Sequence, residues 1–157
     1  MPLLLSSLKT PVGSLNLLAD EQILIGANFS SVSKLGAQGD VKTVKAIPII
    51  TDLISDYFDG DLDALNGIRV RQDGAGFSQS AWKAMRKVKA GKVLSYGDLA
   101  DRAGSPAAVR AAGSACAKNA IVLVVPCHRI VKTGGALGNY AYGLVKKEWL
   151  LRHEGAL

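Results

Sequence analysis

Ile121-Val122-Leu123-Val124-Val125 is an unbroken apolar run in which four of the five side chains are β-branched. A soluble chain has to bury such a run, and its length and branching predict a buried strand. Pro126-Cys127-His128-Arg129 follows at once, so buried backbone is expected to deliver a thiol, an imidazole and a guanidinium together. With 157 residues the chain can bury this run inside one ordinary domain or two small ones. Its 48% hydrophobic and 20% charged content is that of a globular protein. The run is far short of the ~20 residues of a membrane span, so no membrane partner is expected. Leu3-Leu4-Leu5 has no basic stretch before it and ends at Ser6-Ser7, so a secretory signal is not expected either. Two cysteines, Cys116 and Cys127, cannot build a disulfide framework. Both are expected as free thiols in a reducing cytoplasm.

Charge is spread unevenly. The formal net charge is +6, yet residues 1–75 carry −3 and residues 76–157 carry +9. A half this basic suits a polyanionic partner, most simply nucleic acid. A solvated basic face explains the charge equally well, so charge alone does not decide.

Residues 1–75 read as a small α/β scaffold. Residues 14–18 and 22–25 have strand character, joined through Ala19-Asp20-Glu21. Residues 30–39 are polar and read as a loop. Ile50, Leu53, Ile54 and Tyr57 recur at helical spacing and stop before Gly60, predicting a helix over 49–58. Ile68-Arg69-Val70 reads as a last strand before an Asp73-Gly74-Ala75-Gly76 linker. No His or Cys precedes residue 116, so no chemistry is expected in this half.

Residues 76–157 read as mainly helical. Trp82, Met85 and Val88 share one face of a helix predicted over 79–89. Ser95 and Asp98 have capping-box spacing and open a short helix to Ala103, which Gly104 stops. Ser105 as N-cap and Pro106 at the first helical position start a second helix, running to about Ala117. Two short helices about a glycine-containing turn outline a helix-turn-helix. The second carries almost only small side chains around Arg110, Ala111 and Gly113 among them. Tight helix packing is the plain use of such a surface. Beside a half carrying +9, insertion into a nucleic-acid groove is the stronger reading.

Cysteine is a useful nucleophile only as thiolate, and an unperturbed pKa of ~8.5 leaves a few per cent ionised at neutral pH. A neighbouring His and Arg raise that fraction. Successive strand residues face opposite ways, so Cys127 and His128 need a turn here, or a bridging water, to act together. Taken singly, a buried structural thiol and a satisfied core histidine are the commoner fates.

Pro126-Cys127-His128-Arg129-Ile130-Val131 resembles the PCHRV signature of the O6-alkylguanine-DNA alkyltransferases, or methylated-DNA–protein-cysteine methyltransferases. The resemblance covers residues 77–155, about half of the chain, in that family's order and spacing. It includes Trp82, Ser95-Tyr96, Leu99-Ala100, Pro106, Arg110-Ala111, Gly113, Asn119, Gly138-Asn139-Tyr140, Lys147, Leu150-Leu151 and Glu154. Before residue 77 it is loose, limited to Pro11-Val12-Gly13 and Tyr57-Phe58-Asp59-Gly60. Together with the reading above it gives an α/β N-terminal domain over 1–75. A mainly α C-terminal domain over 76–157 carries the helix-turn-helix and a short active-site strand.

The resemblance implies that Cys127 accepts an alkyl group, His128 activates it through a water, and Glu154 orients the imidazole. Asn119 is similar to the asparagine that ties the recognition helix to the active-site strand. Arg110 resembles the finger that fills the stack when damaged guanine is flipped out from the minor groove. Ser95, Ala111 and Gly113 belong to the same DNA-facing surface. Tyr96 is similar to the tyrosine that rotates the adjoining phosphate. Tyr140 and Lys147 resemble the pair that helps guanine leave, the lysine polarising the tyrosine's donation. The carbonyls of Val125 and Cys127 are implied as acceptors of the guanine amine, and Arg129 reads as structural.

Departures matter too. Asn119-Ala120 stands where Asn-Pro is usual, which is expected to loosen the approach to the strand. Ala141 replaces a common serine and keeps its backbone N–H. Tyr142 replaces a common glycine, and its ring is expected at the pocket rim, excluding large O6 substituents. Cys116 replaces an apolar residue and reads as inert packing. The Cys/His set that binds structural zinc in some relatives is missing, so no metal is expected, and no cofactor.

The expected activity is single-turnover transfer of a methyl or small alkyl group from O6-alkylguanine in double-stranded DNA to Cys127. O4-alkylthymine is a secondary substrate. The protein is expected to be a monomer, cytoplasmic, and nucleoid-associated if prokaryotic. The alternatives are lesion recognition without transfer, a helix-turn-helix regulator, and another Cys–His enzyme such as a thiol hydrolase. The acceptor cysteine counts against the first. The second makes the PCHR box a coincidence, and the third leaves Arg110, Tyr96 and the basic half unexplained.

Overall fold

In the computed structural model, which describes Met1–Leu157, the chain divides into two units. Met1–Gln72 and Ala120–Val124 make the first, and Asp73–Asn119 and Val125–Leu157 make the second. The division falls near the boundary expected after residue 75, but residues 76–157 do not stay together. Five of them leave for the first unit.

Strands β1 (Leu3–Thr10), β2 (Gly13–Asp20), β3 (Ile23–Asn28), β4 (Val41–Thr43) and β5 (Arg69–Val70) form one sheet in the order β4-β1-β2-β3-β5. The three long strands run antiparallel, and β4 and β5 add at the edges in parallel. Sequence patterning missed β1 and β4. In β1 the inward position after Leu5 is Ser6, buried, with its hydroxyl donating to Lys45 O at 2.9 Å. A satisfied buried serine hides the period-2 signal. Strand β2 is covered on both faces, with Leu15, Leu17, Leu18 and Ala19 all buried. Helix α1 (Ile50–Phe58) adds Ile50, Ile54 and Tyr57 to the buried set and stops at Gly60, as expected.

The first four residues of the apolar run, Ile121–Val124, lie in this unit, and the run is not a strand. Ala27 N–H donates to Ala120 O at 2.9 Å and Val122 N–H to Ala27 O at 3.1 Å, which makes one parallel bridge at Ile121. The chain then turns. Val124 N–H donates to Val122 O at 2.9 Å around Leu123, whose φ is 73°. This is the γ-turn of positive φ, a rare and strained form. Burial of all five side chains was predicted correctly, while extension was not. Periodicity cannot separate a buried strand from any other buried run. Ala120, expected to be loosely held without proline, uses the N–H that proline lacks: it donates to Gln72 Oε1 at 2.9 Å.

The second unit holds α2 (Gly76–Arg86), β6 (Leu94–Ser95), α3 (Tyr96–Arg102), α4 (Val109–Ala117), β7 (Ile130–Val131) and α5 (Leu144–His153). Helix α2 starts and stops three residues before the range expected for it. Trp82 Nε1 donates to Ala115 O at 2.9 Å and ties α2 to α4. Ser95 caps α3, its hydroxyl accepting from Asp98 N–H at 3.0 Å. Helix α4 begins later than Ser105-Pro106 suggested. Ala108 N–H donates to Ser105 O at 2.9 Å, so these residues make a β-turn and leave the helix without a side-chain cap. Proline suits the second position of such a turn as well as it suits a first helical position. Strands β6 and β7 pair in parallel, Leu94 against Ile130 and Ser95 against Val131.

Gly74 leaves no room for a side chain, since a Cβ there lies 2.5 Å from Trp82 Cη2. Gly74→Ala is expected to destabilise by about 1–3 kcal/mol through overpacking. At Gly76 a Cβ meets open space, and Gly76→Ala is expected to change stability by less than ~1 kcal/mol. Urea denaturation of the two variants checks the contrast, and equal midpoints contradict it.

Candidate active site

Pro126 directs the chain into the site. Its φ of −84° and ψ of 67°, with Cys127 N–H donating to Val125 O at 2.9 Å, make an inverse γ-turn that the proline ring favours. Cys127–Arg129 then form one turn of 3₁₀ helix, with Arg129 N–H donating to Pro126 O at 3.0 Å. The turn that Cys127 and His128 needed is therefore present, but the strand next to it is β7, just after it, and not the 121–125 run expected to deliver Cys127. Asn119 Nδ2 donates to Val125 O at 2.8 Å, and the Asn119 side chain also hydrogen-bonds the Cys127 thiol. One amide closes the excursion of Ala120–Val124 and touches the sulfur.

Beside Cys127 lies a buried ionic cluster. Glu154, at the end of α5, receives His128 Nε2 on Oε2 at 2.8 Å, Arg129 Nε on Oε1 at 2.9 Å and Arg129 Nη2 on Oε2 at 2.9 Å. Arg129 Nη1 donates to Val88 O at 2.7 Å. Burial alone raises a carboxyl pKa, but the hydrogen bonds from His128 and Arg129 and the Arg129 charge outweigh it and hold Glu154 well below the usual carboxylate range. For His128, burial pushes the pKa down and exceeds the opposing pull of Glu154; Arg129 and Lys147 push the same way as burial. The imidazole is neutral. An ionised carboxylate only accepts, so Nε2 carries the hydrogen and Nδ1 is left as a bare acceptor. Nδ1 is buried and meets no acceptor or donor of the chain.

Cys127 is 8% exposed and lines a cavity of about 640 Å³. Burial pushes its thiol up, while the Asn119 hydrogen bond and the Lys147 charge pull it down. Helix α4 gives the cavity Arg110, Gly113 and Cys116, and Tyr96, Lys132, Tyr140 and Ala141 line it as well. Burial, and then the Cys127 charge, push the Cys116 thiol up to about 12. Cys116 thus shares the cavity rather than packing elsewhere, but as a protonated thiol. Lys147 is fully buried, and its Nζ donates to Ile130 O at 2.6 Å and Asn139 O at 3.0 Å. These carbonyls, rather than the Tyr140 hydroxyl, take its hydrogen bonds.

Not every expected residue reaches the cavity. Val125 does not line it, and its carbonyl already accepts from Asn119 and Cys127, which leaves no lone pair for a guanine amine. Tyr142 packs edge-on against Tyr140, ring centroids 5.6 Å apart at 70°, outside the lining. Ser95 and Ala111 were expected on the DNA-facing surface and not in the cavity; Ser95 is the cap of α3, and Ala111 lies exposed on α4. Lys132 and Ser114 line the cavity without having been singled out, and Asn139, matched in the resemblance without a role, lines it too. A lysine two residues after the buried Ile130 was the available signal for the first.

The profile of the family described as "6-O-methylguanine DNA methyltransferase, DNA binding domain" matches residues 76–156. A methylated-DNA–protein-cysteine methyltransferase of Methanosarcina acetivorans is 33% identical over 150 residues, covering 94% of this chain and 96% of that protein. One of Salmonella typhimurium is 44% identical over 108 residues, 69% of this chain but only 63% of that protein's length. The crystal structure of Mycobacterium tuberculosis OGT in complex with DNA superposes with a TM-score of 0.85 at 29% identity, over 98% of this chain and 93% of the other.

The cluster has a pH signature. His128 and Glu154 both have lowered folded-state pKa values, so the unfolded chain binds the extra proton first as pH falls. Stability is expected to decline below about pH 6.5 through the imidazole and again below about pH 4.3 through the carboxyl. Glu154→Gln breaks the buried pair at a cost of about 3–5 kcal/mol and shrinks the lower step. Urea denaturation across pH checks both points, and a flat profile from neutrality into mild acid contradicts the neutral imidazole.

Proposed function

The chain belongs to the 6-O-methylguanine DNA methyltransferase family, and from that premise we propose that it takes the alkyl group of an O6-alkylguanine in duplex DNA onto Cys127 Sγ, once per molecule. The observation that carries this is Cys127 on a cavity wall, in one 3₁₀ turn with a neutral His128 oriented by Glu154.

His128 Nδ1 takes the thiol proton through one bridging water, and the Asn119 amide and Lys147 charge favour the thiolate against burial. Sγ attacks the alkyl carbon in line, so that the S–C bond forms as the C–O6 bond breaks. The released electron pair stays on guanine, which leaves with a proton from the Tyr140 hydroxyl. The imidazolium proton returns through solvent to the phenolate. Lys147 holds the Asn139 carbonyl beside that tyrosine.

An alkyl group on O6 is hidden in the duplex, so the base leaves the stack at a cost of a few kcal/mol. Arg110, exposed on α4 at the cavity, has the planar guanidinium that fills the vacated space. Tyr96, at the same cavity, turns the adjoining phosphate. The +9 of residues 76–157 favours binding to the DNA backbone. O4-alkylthymine is the lesser substrate, and the protein works as a monomer in the cytoplasm. Alkylated Cys127 is a thioether, whose thiolate is a poor leaving group from an unactivated carbon, and Cys116 is held protonated, so nothing regenerates the acceptor.

Cys127→Ser is expected to abolish transfer and to keep duplex binding, because helices α3 and α4 do the docking. With excess methylated duplex, wild type is expected to stop at about one methyl per chain on the Cys127 peptide. Peptide mass mapping and gel shift read these outcomes; sustained turnover contradicts them. Arg110→Ala is expected to slow transfer from duplex by the order of the unstacking cost, a few kcal/mol, with transfer from a free O6-benzylguanine base unchanged. Parallel single-turnover assays check this, and equal losses reassign Arg110 to the fold.

A further inference from the structure

Among the charged side chains lining the cavity, Lys132 has no role in the chemistry above. We infer that Lys132 seats a phosphodiester of the DNA strand that carries the flipped nucleotide; the inference rests on the repair reading and extends it to a specific contact. Four observations support it.

The cavity lining contains two cations, Arg110 and Lys132, and no Asp or Glu. An anion entering it meets uncompensated positive charge. Arg110 is committed to the base stack, which leaves Lys132 as the counter-charge for a phosphate.

The backbone of Lys132 is fixed. It follows β7 directly, its N–H donates to Ala136 O at 2.9 Å, and its carbonyl accepts from Gly135 N–H at 3.1 Å.

The stem is directed as well. A Cβ built on Gly138 lies 3.5 Å from Lys132 Cγ and 3.1 Å from both the ring edge and the hydroxyl of Tyr96. The lysine stem and the tyrosine therefore converge over a residue that has no side chain and whose φ is 76°. One ammonium and one phenol hydroxyl on the same bend make a two-point seat for phosphate oxygens.

The ammonium is unspent. Lys147 gives its Nζ to the Ile130 and Asn139 carbonyls, whereas Lys132 is exposed and takes no part in the ion pairs made by Arg71, His128, Arg129 and Arg152. A flexible point charge with three donors suits a phosphate that moves as its nucleotide rotates.

The test compares wild type, Lys132→Gln and Lys132→Arg in single-turnover transfer. The substrates are an O6-methylguanine duplex, the same duplex with neutral methylphosphonate linkages flanking the lesion, and free O6-benzylguanine. Lys132→Gln is expected to slow duplex transfer about tenfold, the lower end for one charge-assisted hydrogen bond. Its rate on the free base is expected to match wild type. The methylphosphonate duplex is expected to slow wild type and Lys132→Arg but not Lys132→Gln, since the contact is already lost there. The salt dependence of duplex binding is expected to lose about one counterion. Equal rates for wild type and Lys132→Gln on the phosphate duplex overturn the inference, as does an equal loss on the free base. Failure of wild type on every substrate overturns instead the repair reading beneath it.

Discussion

A carboxylate removed from water is tolerable only when its charge is met, and Glu154 is met twice, by a guanidinium on both oxygens and by an imidazole on one. That sharing fixes three parts of the second unit together: the end of α5, the turn that holds Cys127, and the bend at Val88 that follows α2. The backbone around Glu154 is close-fitting too, since a Cβ on Gly91 lies 3.0 Å from its carbonyl oxygen. The charge balance has a chemical effect. Burial first, and then the Arg129 and Lys147 charges, outweigh the pull of Glu154 on the imidazole, which stays neutral and free to accept.

Positioning of the sulfur depends on backbone more than on side chains. Two γ-turns of opposite sense, around Leu123 and Pro126, flank Val125, and Asn119 holds the Val125 carbonyl between them. A non-glycine residue at φ 73° costs on the order of 1–3 kcal/mol. Full burial of the Leu123 side chain offsets that cost. Strain therefore sits four residues before the nucleophile, held by packing that is not part of the reaction.

The sequence was most readable where local chemistry determines structure. Ser95 caps α3, Gly60 stops α1, and the small residues of α4 face a cavity. It was least readable where distant groups override local preference. Ser6 looked polar because its partner, Lys45 O, lies far along the chain. Ser105-Pro106 suits a helix start and a β-turn alike, and only the surrounding fold chose between them. Residues 121–125 read as extended because burial and extension give one apolar signature, and only the bridge to Ala27 and the turn at Leu123 separate them. In the site, the PCHR box and Glu154 were legible through a resemblance. The occupied carbonyl of Val125 and the edge-on packing of Tyr142 against Tyr140 were not, because backbone hydrogen-bond partners and ring packing leave no trace in residue type.

The excursion of Ala120–Val124 bears on how the molecule is made. The segment that leads to the nucleophile finds its burial against β3, near the start of the chain, so its contacts span most of the polypeptide. Long loops close late, and contacts of this range slow folding. The helices of the second unit can form from local contacts, whereas Ala120–Val124 is covered only once β3 is in place. A fragment cut between the units carries a bare apolar segment with nothing to cover it, and such segments drive aggregation rather than activity.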